Sequence, residues 1–195
     1  MAVNILFQPR QSWATRTLSE YPFRIKVLGN NSDRRDVFEL RYRAYRNDGH
    51  IAPNSARTFR DSNDGLETTA QIAAYDGEVC VGALRVSFSP PPAGGHALPC
   101  AAYYPEVADL LREPDRRFVE ISRLAIDPEI SNTSQKTTLY ASLVRAGLMA
   151  AEAGHATDIL IATKPEWVRF YKFMIGCTQI GKSAKYPPGD LEITR

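Results

Sequence analysis

FVEISRLAID, from Phe118 to Asp127, decides how this chain is read. Its apolar and β-branched positions mark a buried strand, yet Glu120, Ser122 and Arg123 stand in the middle of it. An unpaired carboxylate in a central strand is costly, so Glu120 demands a partner or a chemical task. Side chains alternate along a strand, which puts Glu120 and Ser122 on one face and Arg123 on the other. A structural ion pair of Glu120 with Arg123 or Arg85 is the plain alternative to a reactive site.

Downstream, the loop PEISNTSQK leads into a long helix, TTLYASLVRAGLMAAEAG, closed by Gly154. DILIAT is a short run apolar on both faces, which suits the centre of a sheet. Pro165 then stands at the first position of a helix, EWVRFYKFMIG, and two strand-like runs, CTQIGK and LEITR, flank the turn PPGD. Upstream, TAQIAAYDGEVCVGALRVSFS reads as a hairpin turning at Asp76-Gly77. Between hairpin and FVEISRLAID, PPPAGGHALPCAAYYPEVADLLREPDRR breaks the sheet and holds one short helix, Pro105 to Arg112. FRIKVL, from Phe23 to Leu28, is a first strand, and the helix after it takes its cap from Ser32 or Asp33 and stops at Gly49. Val37, Leu40, Arg41, Ala44 and Tyr45 share one face of that helix, and residues 51–67 form a loop. Residues 1–20 read as a polar N-terminal lead-in and 21–195 as one domain. Strands alternating with helices imply an α/β fold, a mixed central sheet flanked by helices.

Composition narrows the class. Hydrophobic residues make up 44% and charged residues 24% of 195, ordinary globular values. A net charge of +2 is too mild for wholesale nucleic-acid binding. Cys80, Cys100 and Cys177 are widely spaced and odd in number, against a disulfide framework or a zinc site and in favour of a reducing cytoplasm. The three histidines have no ligand-like spacing, so no metal is implied. The N-terminus has no apolar run long enough for a signal sequence, and stable membrane insertion is not expected.

The order of elements and ATKPEWVRFYKFMIGCTQIGK resemble the GCN5-related N-acetyltransferase (GNAT) fold. A narrower set of residues resembles the acyl-homoserine-lactone autoinducer synthases and their relatives, the long-chain N-acyl amino acid synthases, the N-acyltyrosine synthases among them. In chain order these are Arg41 with Tyr45, Asp61-Ser-Asn-Asp64, Arg85, and Glu120-Ile-Ser122-Arg123, spanning Arg34 to Lys182. Autoinducer synthases carry a tryptophan in the S-adenosylmethionine pocket shortly after the first-helix aromatic. Here NDGHIAP occupies that neighbourhood with Ile51 near the position, and the lead-in before Arg41 is long. Both departures favour the amino-acid-acylating relatives over a lactone maker.

The resemblance implies transfer of a fatty acyl group from a thioester to the α-amine of an amino acid. It implies no tightly bound cofactor; the co-substrate is acyl-phosphopantetheine on acyl carrier protein, with acyl-CoA the alternative. Acetyl-CoA enzymes of the fold cradle pyrophosphate on a glycine-rich turn before the long helix. PEISNTSQKTT has no glycine, which favours the carrier protein. Carrier proteins are acidic, so Lys136, Arg145 and Lys164 are candidate landing cations.

The chemistry requires a proton acceptor for the amine, donors for the oxyanion, a proton for the leaving thiolate and a cation for the acceptor's carboxylate. Glu120 is the candidate base, directly or through a water. The fold's bulge in this strand would turn Arg123 toward Glu120 and leave a backbone N–H for the oxyanion. Tyr171 stands where the fold often keeps a thiolate-protonating tyrosine. Arg41, Tyr45, Asp61, Asp64, Arg85 and Ser122 are candidate substrate-binding residues. A lactone synthase, or a silent acyl- or carrier-binding module, are the competing readings; the buried charges argue against silence.

Overall fold

The computed structural model describes residues 3–7, 23–29, 32–89 and 98–181. Among these residues seven strands form one sheet, in the order β2-β3-β4-β5-β6-β1-β7. They are β1 (Val3–Phe7), β2 (Arg24–Leu28), β3 (Thr69–Asp76), β4 (Val79–Phe88), β5 (Phe118–Ile126), β6 (Asp158–Thr163) and β7 (Thr178–Gln179). Only β5 and β6 run parallel; every other neighbouring pair is antiparallel. The helices are α1 (Arg35–Asn47), α2 (Pro105–Leu110), α3 (Thr133–Ala153) and α4 (Pro165–Ile175). The mixed sheet with helices matches the α/β expectation, and DILIAT is central, between β5 and β1.

Local chemistry accounts for the boundaries. Asn132 caps α3 by accepting from the Gln135 N–H at 3.0 Å. Pro165 opens α4 and Gly176, at φ +70°, ends it in the left-handed conformation. Arg34, rather than Ser32 or Asp33, is the N-cap of α1, although the Asp33 carboxylate accepts from the Arg35 N–H at 3.0 Å. The hairpin turns one residue later than Asp76-Gly77 suggests. Asp76 pairs with Val79, so Gly77 (φ +57°) and Glu78 make the turn.

Val3–Phe7, inside the stretch read as a lead-in, forms β1 and slots between β6 and β7. Its register sets Val3 against Thr163 and Ile5 against both Ile161 and Gln179. The PPPAGGH segment, the PPGD turn and the LEITR run lie outside the described residues.

Successive β5 residues feed different cores, as strand alternation requires. Val119 and Ile121 join Leu84, Val86, Ile159 and Ile161 beneath Leu139 and Leu143 of α3. Phe118 points the other way, to Leu98, Cys100, Tyr104, Val107 and Leu160. On that same side, nearer β2, α1 lays Val37 and Leu40 over Ala73, Tyr75 and Ala83. Helix α3 comes close enough that a Cβ on Gly82 would stand 2.9 Å from Leu143 Cδ1.

Two irregularities shape the middle of the sheet. Opposite β5, Arg85 pairs with Ser122 and Ala83 with Ala125, so one residue of β4 faces both Arg123 and Leu124. Arg123 sits at φ +57°, a conformation non-glycine residues seldom adopt. The expected bulge is present. In addition, β5 pairs with β6 only from Phe118 to Ile121, and beyond that the two parallel strands part.

Candidate active site

Asp61 and Asp64 are delivered by a short 3-10 turn, Ser62–Gly65, that follows directly from the spacing of DSND. The Asp61 carboxylate accepts from the Asn63 N–H at 2.9 Å, and Asp64 Oδ2 accepts from the Asp61 N–H at 2.8 Å. This reciprocal box satisfies the turn's own donors, and both carboxylates also face the sheet, Asp61 Oδ1 serving the box and an arginine at once. There they meet three arginines from three different elements. Arg41 of α1 reaches Asp64 Oδ1 at 2.9 Å, and Arg85 of β4 reaches Asp61 Oδ1 at 2.7 Å and Asp64 Oδ1 at 3.3 Å. Arg123, from the bulge, donates through Nη2 and Nε to Asp61 Oδ2 at 2.6 and 3.0 Å.

Arg41 and Arg85 are wholly buried, and such charges persist only with close, well-aligned partners. Burial pushes both aspartates toward the neutral acid, but the guanidinium groups win. Arg85 and Arg123 hold Asp61 at about 2, and Arg41 with Arg85 lowers Asp64. Burial also raises the Tyr45 phenol, whose ring packs edge-on to Phe59 with centroids 5.2 Å apart. Phe59 in turn lies under the Arg123 guanidinium, 6.0 Å from ring centroid to Cζ.

The structure thus brings Arg41, Tyr45, Asp61, Asp64, Arg85, Ser122 and Arg123 into one cluster, with Arg85 Nε 3.4 Å from Ser122 Oγ. The proposed direction of Arg123 needs correction. The bulge turns its guanidinium to Asp61 rather than to Glu120, because Asp61 offers an ionised, half-buried oxygen on that side. Glu120 is fully buried on the same face of β5 as Ser122, two residues before it, and its Oε2 accepts from the Cys100 N–H at 2.7 Å.

Tyr171 packs in the core cluster beneath α3, across the sheet from Glu120, and accepts a hydrogen bond from the Tyr140 hydroxyl. Burial raises its pKa while the Tyr140 bond works the other way. Lys136 and Lys164 lie at the start of α3 and at the N-cap of α4, both near the parting end of β5 and β6. Arg145 stands about 13 Å further along α3 at the helical rise per residue, away from that end.

Two participants escaped the sequence reading. Gln71 is fully buried, donates to Asp64 Oδ1 at 3.1 Å and accepts from Arg41. Its signal was a polar residue in phase with Arg85 inside TAQIAAY. Cys100 had no local signal at all. Among the described residues no group of three or more His, Cys, Asp or Glu gathers as a metal site, and no helix is long and apolar enough to cross a membrane.

The family model for the N-acyl amino acid synthase FeeM matches residues 36–193 of this chain. The chain belongs to that family. It is an N-acyltransferase that makes N-acyl amino acids from an acyl donor and an amino acid. The solved structure of FeeM, an N-acyl amino acid synthase from uncultured soil microbes, is similar over 86% of each chain, with TM-score 0.64 and 22% identity. An acyl-CoA N-acyltransferase from Pseudomonas aeruginosa shares the fold at TM-score 0.51 and 13% identity, over 77% of this chain and 86% of that one. An aminoglycoside acetyltransferase from an uncultured soil metagenomic sample, solved with trehalose, does so at TM-score 0.52 and 12% identity, over 89% and 93%. These neighbours make the architecture that of the GNAT acetyltransferases. No curated protein sequence matches the chain.

Proposed function

We propose that this family member takes its fatty acyl group from acyl carrier protein in the cytoplasm, with Glu120 receiving the proton of the amino acid's amine. The observation that carries the donor is the start of α3. A CoA enzyme of this fold offers backbone N–H groups there to pyrophosphate. Here Asn132 Oδ1 already takes the Gln135 N–H, and the preceding Asp127 Oδ1 takes the Glu129 N–H at 3.1 Å. A carboxylate and a capped helix start disfavour a diphosphate, whereas a phosphopantetheine arm needs neither contact. Lys136 and Lys164 at the parting strands, with Arg145 further along α3, suit an acidic carrier.

In the step itself the neutral amine attacks the thioester carbonyl. The C–N bond forms and the C–S bond breaks, giving an amide and a thiol. The amine's proton passes to Glu120, directly or through a water, and the leaving thiolate takes a proton from Tyr171, whose oxygen accepts from Tyr140 and so leaves its own hydrogen to donate. The backbone of the bulge at Arg123 donates to the oxyanion. Three guanidinium groups to two carboxylates give the network a positive field suited to the acceptor's carboxylate.

The test offers acyl carrier protein and CoA loaded with the same chains, together with a pool of amino acids and S-adenosylmethionine, and reads products by mass spectrometry. N-acyl amino acids formed with kcat/KM at least tenfold higher from the carrier are expected. Preference for acyl-CoA overturns the donor, a lactone product overturns the acceptor, and a Glu120→Gln enzyme with undiminished turnover removes the base.

A further inference from the structure

Helix α4 carries Trp167, Phe170 and Tyr171 at the i, i+3, i+4 spacing that sets side chains on one side of a helix. That side meets the first half of α3 at Tyr140. The Tyr140 ring is stacked on Trp167, with 20° between the planes and 6.3 Å between centroids, and stands edge-on to Phe170 at 5.5 Å. Phe170 in turn stands edge-on to both Trp167 and Tyr171, at 5.6 Å each. Stacked and edge-to-face pairs are the arrangements aromatic rings prefer, and together they fix where the two phenol oxygens stand. The Tyr140 hydroxyl donates to the Tyr171 oxygen. A hydroxyl has a single hydrogen, so that of Tyr140 is committed, while no acceptor among the described residues takes that of Tyr171. Burial raises the Tyr171 phenol, the bond from Tyr140 works against it, and Cys177 adds a smaller rise. Burial, followed by Tyr171, pushes the Tyr140 phenol up, so Tyr140 keeps its hydrogen and remains the donor.

We propose that Tyr140 is a positioning residue for departure of the thiol, its hydroxyl holding the Tyr171 oxygen so that the Tyr171 hydrogen turns to the leaving sulfur. The inference rests on the assignment of Tyr171 as the thiolate's proton donor and gives the aromatic box between α3 and α4 a task in the reaction. As the C–S bond breaks, the Tyr171 O–H bond breaks with it and an S–H bond forms. The negative charge passes from sulfur to the Tyr171 oxygen. A donor bonds a charged oxygen more strongly than a neutral one, so the bond from Tyr140 tightens as the proton leaves. It thereby stabilises the transition state more than the bound substrate, which is the condition for raising turnover. Its second effect is orientation. With one side of the Tyr171 oxygen taken by Tyr140, the Tyr171 hydrogen is kept to the other.

The experiment measures single-turnover rates of amide formation, and KM for both substrates, in the full-length enzyme, Tyr140→Phe, Tyr171→Phe and the double variant, each checked for cooperative unfolding. Phenylalanine at 140 keeps the ring and its contacts with Trp167 and Phe170 and deletes the hydroxyl alone. Tyr171→Phe is expected to lose about a hundredfold in rate, the scale of a lost general acid. Tyr140→Phe is expected to lose about tenfold, the worth of one hydrogen bond to a charged group, with KM for acyl donor and amino acid held within about twofold. In the Tyr171→Phe background the same change at Tyr140 costs nothing further, because the hydroxyl it positions is gone. A merely structural Tyr140 costs as much in that background as in the wild type, or raises KM while the rate stays; either result overturns the proposal, as does an undiminished rate in Tyr140→Phe. Additive losses in the double variant, with Tyr171→Phe itself impaired, remove the positioning role and leave Tyr171 as the proton donor. An undiminished rate in Tyr171→Phe removes both.

Discussion

At Asp61 two physical tendencies oppose each other. Burial raises the carboxyl group, while Arg85 and Arg123 pull it down from its ordinary 3.8 to about 2. A folded-state value below the unfolded one contributes stability that is complete above about 3.8 and disappears as pH falls toward about 2. Asp61→Asn removes the titration and should be clearly less stable at pH 7. Its deficit relative to wild type should then shrink as the pH is lowered from 4 to 2, read as urea midpoints. A deficit constant across that window would mean the Arg85 and Arg123 contacts do not hold the charged form. Much of this cluster was legible, since arginines inside VGALRVSF and FVEISRLAID and the paired aspartates of DSND each break a local rule. The partner of Arg123 was not. Alternation and a bulge say that a side chain leaves its face, but only the loop docked from residues 61–65 says where it goes.

On the scale of an element, β5 solves a problem of parity. Two of its residues oppose one on β4, so the alternation shifts by one there: Ala125 comes onto the face of Ser122, and Arg123 is redirected. Deleting Leu124 would restore a regular ladder without exchanging the two faces. The deletion variant should unfold cooperatively with near-native circular dichroism, yet lose turnover by about a hundredfold or more, the scale of a lost transition-state donor. Near-normal turnover would show that the bulge is only tolerated. Sequence pattern read the helices, the hairpin and DILIAT well, because caps, glycines and apolar runs are local signals. Cys100 was invisible for the opposite reason: its bond to Glu120 spans 20 positions of chain and depends on how the intervening segment folds back.

The whole molecule depends on a strand that composition gave little reason to notice. β1 is five residues long and amid polar neighbours, but it pairs with β6 on one side and β7 on the other. Removing residues 1–8 should strip β7 of its ladder with β1 and open the β6 edge that β1 covers. We expect a midpoint of thermal unfolding lower by about 5 °C or more, with rising light scattering. An unchanged midpoint would make β1 dispensable.

That same strand gives the protein an unusual timetable. Val3 pairs with Thr163, a separation of 160 residues, so β1 leaves the ribosome long before its partner strand does. At about 5–20 residues per second the wait is roughly 8–30 s. Throughout it the partner edge does not yet exist, and closing so long a loop is slow in any case. The β2-β3-β4 hairpins and α1, all local, can assemble in that interval and bring Arg41, Asp61, Asp64 and Arg85 together early. The parting of β5 from β6 takes shape only afterwards.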